Sequence, residues 1–284
     1  MGEFKQTEAP NAVEGELTVR EIQLEALKIL KNIDIVCRRE GITYWLGYGT
    51  LIGAVRHSGF IPWDDDLDII MPRADYERFL VCFDKRPSEL KTYIAINPEL
   101  GLRRPFLISR VSNPEFKMVG EYGDEIDELG VFIDIYPLDG LANCMKEALE
   151  RKKIAYKLML QYSKAGNFDC NNRGNRVLKR FAKRVQSLLL GKPEKYQELL
   201  NELCYKYQFD DCKFCDVLCW PDTPGEPICE RSWFSETVSM RFEDFNAPVP
   251  IGYDELLRCW YGDYMRLPPE NDRVGHHFYS IIKR

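Results

Sequence analysis

No apolar run in this chain could cross a bilayer: runs such as Leu188-Leu189-Leu190 and Val131-Phe132-Ile133 fall far short of the ~18 residues a membrane span needs. Nothing has the basic, apolar and small-residue order of a secretory signal either. These two absences predict a soluble, cytoplasmic protein. Internal repeats and low-complexity tracts are also lacking. Histidine is scarce, with only His57, His276 and His277, each read as structural or solvent-facing. Cysteine is not scarce, at ten residues, but a disulfide framework belongs to small secreted domains. The run Cys212-x2-Cys215-x3-Cys219 with Cys229 lacks the second half of a paired CxxC. It leaves a structural Zn²⁺ site and ordinary reduced, buried thiols both open.

What is present is an ordinary globular composition, 45% hydrophobic and 30% charged over 284 residues and 33.2 kDa. That is enough to bury a large core, as one domain or a domain with an appended lobe. Met1 to Glu16 read as a flexible or expression-derived tail. The net charge of −6 is unevenly spread: between Lys146 and Lys195 fourteen basic residues face four acidic ones. A basic lobe beside an acidic face implies that something anionic is held nearby, whether phospholipid, nucleic acid or a phosphorylated acceptor.

Thr18 and Glu21 form a capping-box pattern ahead of Ile22, Ala26, Ile29, Ile33 and Val36 at helical spacing, with Gly41 as a left-handed stop. Ile42 to Leu46 read as a strand. Gly47-Tyr48-Gly49-Thr50 then reads as a tight turn into a short helix through Arg56, suited to close approach of phosphate. Arg73 to Phe83 is expected to be a helix, and Thr92 to Ile96, Pro105 to Val111 and Val131 to Tyr136 are expected to be strands. Past Gly140 the pattern turns helical. Val177, Leu178, Phe181, Val185, Leu188 and Leu189 line one face, and Arg176, Lys179, Arg180, Lys183 and Arg184 the other. Such a helix either packs on its domain with a solvated basic face or lies in an anionic membrane surface. Beyond Trp233 the chain reads as loop-rich.

The densest chemical signal is Pro62-Trp63-Asp64-Asp65-Asp66-Leu67-Asp68-Ile69-Ile70. Read as a strand, it puts Asp64, Asp66 and Asp68 on one face, where like charges need a cation, and oxygen ligands at this spacing suit Mg²⁺. Asp134 sits inside the apolar run Val131 to Tyr136, an expensive place for a carboxylate without a positive partner. A glycine turn, a strand with alternating aspartates and a later strand with one buried acid make a two-metal phosphoryl-transfer constellation. Two Mg²⁺ ions on Asp66, Asp68 and Asp134, with Gly47, Gly49 and Thr50 holding phosphates, is the expected site.

Tyr44-Trp45-Leu46-Gly47-Tyr48-Gly49-Thr50-Leu51-Ile52-Gly53-Ala54-Val55-Arg56-His57, followed by Phe60 to Asp68, resembles the signature of the LicD/fukutin-related family. Phe132 to Gly140 and Tyr261-Gly262-Asp263-Tyr264-Met265 with Pro268-Pro269 are similar to later family blocks. The resemblance runs from about Leu17 to the C-terminus and is thinnest in the basic middle. It implies an α+β fold: a nucleotidyltransferase-like mixed sheet flanked by helices, with a helical lobe and a C-terminal segment. The expected divisions are a tail at 1–16, a catalytic core at 17–140, a basic helical lobe at 141–232 and a segment at 233–284 packing back on the core.

The activity the resemblance implies is Mg²⁺-dependent transfer of phosphocholine, or a similar alcohol phosphate, from a CDP-activated donor such as CDP-choline. The acceptor would be a hydroxyl of a teichoic acid, lipopolysaccharide or capsule precursor, and CMP would be released. Family metal positions carry over to Asp66, Asp68 and Asp134, with Asp64 an additional ligand, and Asp64 or Asp134 orienting or deprotonating the acceptor. Tyr48 between the two glycines departs from a strict small-residue pair.

Arg56, Arg110 and Arg273 lie close enough to the motifs to offset diphosphate charge. A quaternary ammonium calls for aromatic faces, and Trp45, Tyr48, Trp63 and Tyr264, with Tyr44, are the choline-box candidates. No nucleic-acid partner is expected; a glycan or lipid-linked glycan, and peripheral contact with an anionic inner-membrane face, are. A true nucleotidyltransferase and a non-catalytic assembly subunit are the competing readings.

Overall fold

The computed structural model describes residues 15–97, 107–120, 129–166, 186–221, 223–225, 227–275 and 279–284. Helix α1, Val19–Glu40, begins and ends where the caps place it: Glu21 N–H donates to Thr18 Oγ1, Thr18 N–H donates to Glu21 Oε2, and Gly41 closes the helix at φ 61°. Replacing Thr18 with Ala removes an N-cap acceptor and should cost about 1 kcal/mol. A urea midpoint that falls at unchanged slope is the expected result. Thr18 belongs to a segment tied down on its far side, since Leu17 N–H donates to Ile281 O and Glu16 bridges Ile282. The expected tail thus includes two described residues, Gly15 and Glu16, and Glu16 is paired.

The main sheet runs β1 (Trp45–Leu46), β2 (Asp68–Pro72), β6 (Val131–Ala142), β4 (Ser109–Asn113), β3 (Ile94–Ile96). The twelve-residue β6 is its spine. Its first half pairs parallel with β2 and antiparallel with β4, and its last residues pair with β7 (Phe214–Asp216), which pairs with β8 (Cys229–Glu230). A central strand is covered on both faces, so Val131, Phe132, Ile133 and Ile135 form a continuous buried run. α1 and α3 (Arg73–Asp84) pack against this spine, as does α4 (Met145–Gly166), which also carries α5 (Glu194–Cys204). α3 is tied to β6 by a bidentate pair, Arg73 Nε to Asp139 Oδ1 at 2.7 Å and Nη2 to Oδ2 at 2.9 Å. The architecture is a mixed α/β one, with helices against a mixed sheet and two smaller antiparallel pairs.

Three sequence expectations change. The acidic segment is a strand only from Asp68; Asp64 to Leu67 form the approach loop. α2, Tyr48–His57, opens immediately after Gly47, so Gly47 to Thr50 is the helix start and not a separate turn. The C-terminal part is not loop-rich: it holds the hairpin β9 (Thr237–Phe242) and β10 (Phe245–Pro250), helix α6 (Tyr253–Tyr261) and strand β11 (Tyr279–Lys283) on β5 (Phe116–Gly120). Alternation in Thr237 to Phe242 was visible, but proline at 248 and 250 masked the pairing strand, since proline is tolerated only at a sheet edge. Arg176, Lys179, Arg180, Lys183 and Arg184 lie outside the described residues, as do His276 and His277.

Among the described residues the cysteines of the 212–229 run do not group as metal ligands. Cys215 and Cys229 face each other across β7 and β8, while Cys219 lies near Arg73 and Asp139. Burial pushes the Cys219 thiol up to about 12 and lifts Cys212 and Cys215 as well. Among the described residues no three His, Cys, Asp or Glu side chains group as metal ligands.

Candidate active site

The acidic loop is held from both sides. Gln23, buried on α1, donates through Nε2 to Ile61 O at 3.1 Å and Asp64 O at 2.7 Å. Asp68 N–H donates to Thr50 Oγ1 at 2.9 Å, and Gly47 N–H donates to Asp68 O at 3.0 Å. A Cβ on Gly49 would stand 2.7 Å from Asp64 Oδ2, so glycine there makes room for a carboxylate. Gly47, Gly49 and Thr50 therefore shape the aspartate loop. Thr50 is buried, and its hydroxyl accepts from the Asp68 N–H.

Strand register then assembles the acids. Asp68 on β2 is the Cα partner of Asp134 on β6, and Asp134 is the partner of Arg110 on β4, so the three stand in one row on one face. Arg110 Nε donates to Asp134 Oδ1 at 2.5 Å and Nη2 to Oδ2 at 3.1 Å, with the guanidinium 4.4 Å from the Phe132 ring centre. Burial works against that cation, but Asp134 more than offsets it and holds the Arg110 pKa above its usual value. Arg110 thus pairs with Asp134 through both nitrogens.

Among the described residues Asp68 has no ion-pair partner of its own, and Arg110 acts on it only at a distance. Its side chain is buried and Oδ1 accepts no hydrogen bond. Burial, then the charges of Asp66, Asp134 and Asp64, push its pKa well above the usual carboxylate value. An orphaned, buried carboxylate oxygen among three further acids is the chemistry of a cation ligand. Carboxylate oxygens are the donor type that Mg²⁺ takes, but among the described residues no three such side chains group around one point.

Beside Asp64, Asp66 and Asp68 opens a 330 Å³ cleft, its other walls formed by Tyr48, Gly49, Ile52, Ile61, Trp63, Tyr136, Trp220 and Tyr261. Of the choline-box candidates, Tyr48 and Trp63 line it. Trp45 does not: it is core, with Nε1 donating to Thr237 Oγ1 at 2.9 Å and its ring against Phe234. Tyr264 is buried with its hydroxyl donating to Asp254 at 2.6 Å, and the Tyr44 hydroxyl donates to Asp34 at 2.8 Å. Tyr136, Trp220 and Tyr261 had no candidate signal. Tyr136 was legible in principle, because it stands two residues beyond Asp134 on the same face of β6.

Arg56 and Arg273 form a basic corner. Arg56 Nη1 donates to Tyr264 O at 2.6 Å, and Arg273 Nε donates to Pro268 O at 2.9 Å. Between them Arg56 Nε reaches His57 Nδ1 at 3.3 Å, His57 lies edge-on to Trp63 at 6.2 Å, and Arg273 sits 5.7 Å over the Trp63 ring. Burial first, then Arg273, lowers the Arg56 pKa, and burial with Arg56 lowers that of His57. Mutually repelling guanidiniums anchored on carbonyls are suited to an anion. Tyr279, from β11, lies near the acids instead: burial and then Asp65 and Asp66 raise its pKa.

A family profile described as the LicD/FKTN/FKRP nucleotidyltransferase domain matches residues 41–150. Across 264 residues, 92% of this chain and 96% of the relative, the sequence is 32% identical to the lipopolysaccharide cholinephosphotransferase LicD of Haemophilus influenzae. Shorter matches are to uncharacterized proteins of Rickettsia typhi, 43% identical over 20% of this chain and 18% of that protein, and of Rickettsia prowazekii, 48% identical over 16% and 17%.

Proposed function

Because the chain belongs to the LicD/FKTN/FKRP family, we propose that it transfers phosphocholine, or a closely similar alcohol phosphate, from a CDP-activated donor to a hydroxyl of a cell-surface glycan precursor. The single observation that carries this reading is the cleft in which Asp64, Asp66 and the orphaned Asp68 face aromatic walls. It offers an acidic end for a cation-bound diphosphate and an apolar end for a head group.

In this reading the acceptor oxygen attacks the phosphorus that bears the alcohol, a new phosphate ester bond forms, and the bond to CMP breaks with its electron pair leaving on CMP. The acceptor proton needs a base. Asp134 is tied to Arg110 and Asp68 is buried, whereas Asp64 is half-buried on the cleft wall. We assign the proton to Asp64. Mg²⁺ held by Asp66 and Asp68, with Asp134 adjoining, would neutralise the diphosphate and the acids together. Arg56 and Arg273 supply positive charge from the side of Trp63. The acceptor class follows the Haemophilus relative, whose name specifies lipopolysaccharide.

No helix among the described residues is long and apolar enough to cross a membrane. Peripheral docking on an anionic bilayer is supported by the exposed Lys153, Ile154, Lys157 and Lys164 of α4 and by Leu188 and Leu189.

Mass spectrometry of products from a panel of CDP-alcohols, Mg²⁺ and glycan acceptors tests the proposal. CMP together with a phosphocholine-bearing glycan is the expected outcome. Pyrophosphate released from CTP in the presence of an alcohol phosphate would instead make the protein a nucleotidyltransferase.

A further inference from the structure

We infer that Glu243, at the turn of the β9–β10 hairpin, is a positioning residue that holds in place the loop carrying Asp64 and Asp66; its effect on turnover rests on the transfer reading above. The turn grips the entry to that loop directly. Glu243 N–H donates to Ser58 O at 2.9 Å, and Phe60 N–H donates back to Glu243 Oε1 at 3.1 Å. The Phe242 ring, beside Glu243 in the chain, meets the Phe60 ring edge-on at 4.8 Å. Between these contacts Gly59 has no room for a side chain, since a Cβ there would stand 2.5 Å from Glu243 Oε1.

The same carboxylate reaches the acids by a second route. Arg20, in the first turn of α1, donates through Nη2 to Glu243 Oε2 at 2.6 Å, and through Nη1 to Glu243 Oε1 at 3.0 Å and Gln23 Oε1 at 3.1 Å. A primary amide has an acceptor end and a donor end, so a cation on Gln23 Oε1 turns Nε2 the other way. That end donates to Ile61 O and Asp64 O. Glu243 thus keeps Arg20 where it orients Gln23, and Gln23 holds the backbone of the residue assigned the acceptor proton. The bond from Arg20 first, with that from the Phe60 N–H, lowers the Glu243 pKa against the effect of burial.

The backbone adds an independent observation. Glu243 has φ 56°, in the left-handed region, at the first of the two residues between the paired Phe242 and Phe245. Glycine or asparagine is the usual choice at such a position, and strain of this kind persists only where the surroundings impose it. Lys31, also on α1, meets the Asp244 carboxylate at 2.6 Å, so the helix grips both turn residues. A turn that only reversed the chain would be better served by glycine at 243, which has no carboxylate to give the loop.

Hydrogen–deuterium exchange of the full chain, read by mass spectrometry over residues 58–66 and over β6, tests this beside steady-state kinetics with CDP-choline and a glycan acceptor. Glu243→Ala should speed exchange across 58–66 about tenfold while leaving β6 as in the parent. It should lower kcat about tenfold to a hundredfold with the donor KM little changed, as a misplaced acid would. Glu243→Gln keeps an acceptor for the Phe60 N–H and should recover most of kcat. Arg20→Ala, at an exposed side chain, should speed the same exchange, and adding it to Glu243→Ala should cost little more, because both act through one path. Parental exchange at 58–66 in Glu243→Ala, or equal acceleration there and in β6, overturns the positioning role. Faster loop exchange with parental kcat overturns its bearing on the reaction, and additive losses in the double variant overturn the route through Arg20. Should Glu243→Ala not fold, Arg20→Ala against Glu243→Gln decides the same question. A parent without turnover overturns the transfer reading, and loop exchange then decides the role of Glu243 by itself.

Discussion

Asp68→Asn should reduce transfer by about a thousandfold or more, the equivalent of roughly 4 kcal/mol of transition-state stabilisation, yet yield a folded protein that in chelator resists unfolding better than its parent. The two side chains have nearly the same shape, so packing between Thr50 and β6 is kept, and the Asp68 N–H still donates to Thr50 Oγ1. What disappears is a buried negative charge whose Oδ1 accepts nothing and which lies beside Asp66, Asp134 and Asp64.

The pH dependence gives the sign. Burial and those acids raise the Asp68 pKa above its ordinary value of 3.8, so the folded state holds this proton more tightly than the unfolded state. That contribution is fully present below 3.8 and is lost as pH rises through the folded value. In EDTA the parent should therefore lose stability toward neutral pH, and Asp68→Asn should be spared this loss. Mg²⁺ reverses the order, because an ion that binds only the folded parent raises its melting temperature with concentration. Circular dichroism melts across pH, with EDTA or Mg²⁺, measure both effects. A variant with parental turnover, or a parent whose melt ignores Mg²⁺, would falsify the cation assignment.

Arg110→Ala should destabilise the protein by about 3–5 kcal/mol, the cost of leaving one member of a buried ion pair without its partner. Asp134 would keep its place in the row with Asp68 but lose both hydrogen bonds, at 2.5 and 3.1 Å, that offset its charge. The second substitution, Asp134→Asn in the Arg110→Ala background, should recover most of the stability by removing the stranded charge. It should not recover turnover, because the acid beside Asp68 is gone. Urea unfolding with parallel rate measurements separates the two. A loss below about 1 kcal/mol in Arg110→Ala, the range of an exposed pair, would mean that the pair carries little structural weight and that Arg110 is available to the donor after all.

Much of this site was legible in residue types. Four aspartates in seven residues, followed by Leu and Ile, announced a charged segment entering a core, and a lone Asp134 in an apolar run announced a required positive partner. Arg110 is that partner, but its position could not be read, because the pairing of β4 with β6 is a register across twenty-four residues. The strand reading of Asp64 to Asp68 failed for a related reason. Alternation gives faces only where a neighbouring strand pairs, and β1 and β6 begin their pairing with β2 near Asp68. Gln23 carried no chemical signal, and Thr50 was read only as a phosphate contact, yet they hold the acidic loop.

Local order determined the capped helix α1, the buried β6 and the identity of the acids, since caps, periodicity and charge density act over a few residues. Tertiary structure alone decided which acid is neutralised, which is orphaned and which rings face the cleft. Those outcomes depend on strand register and on the return of α6 and β11 to the core, contacts made between residues far apart in the chain.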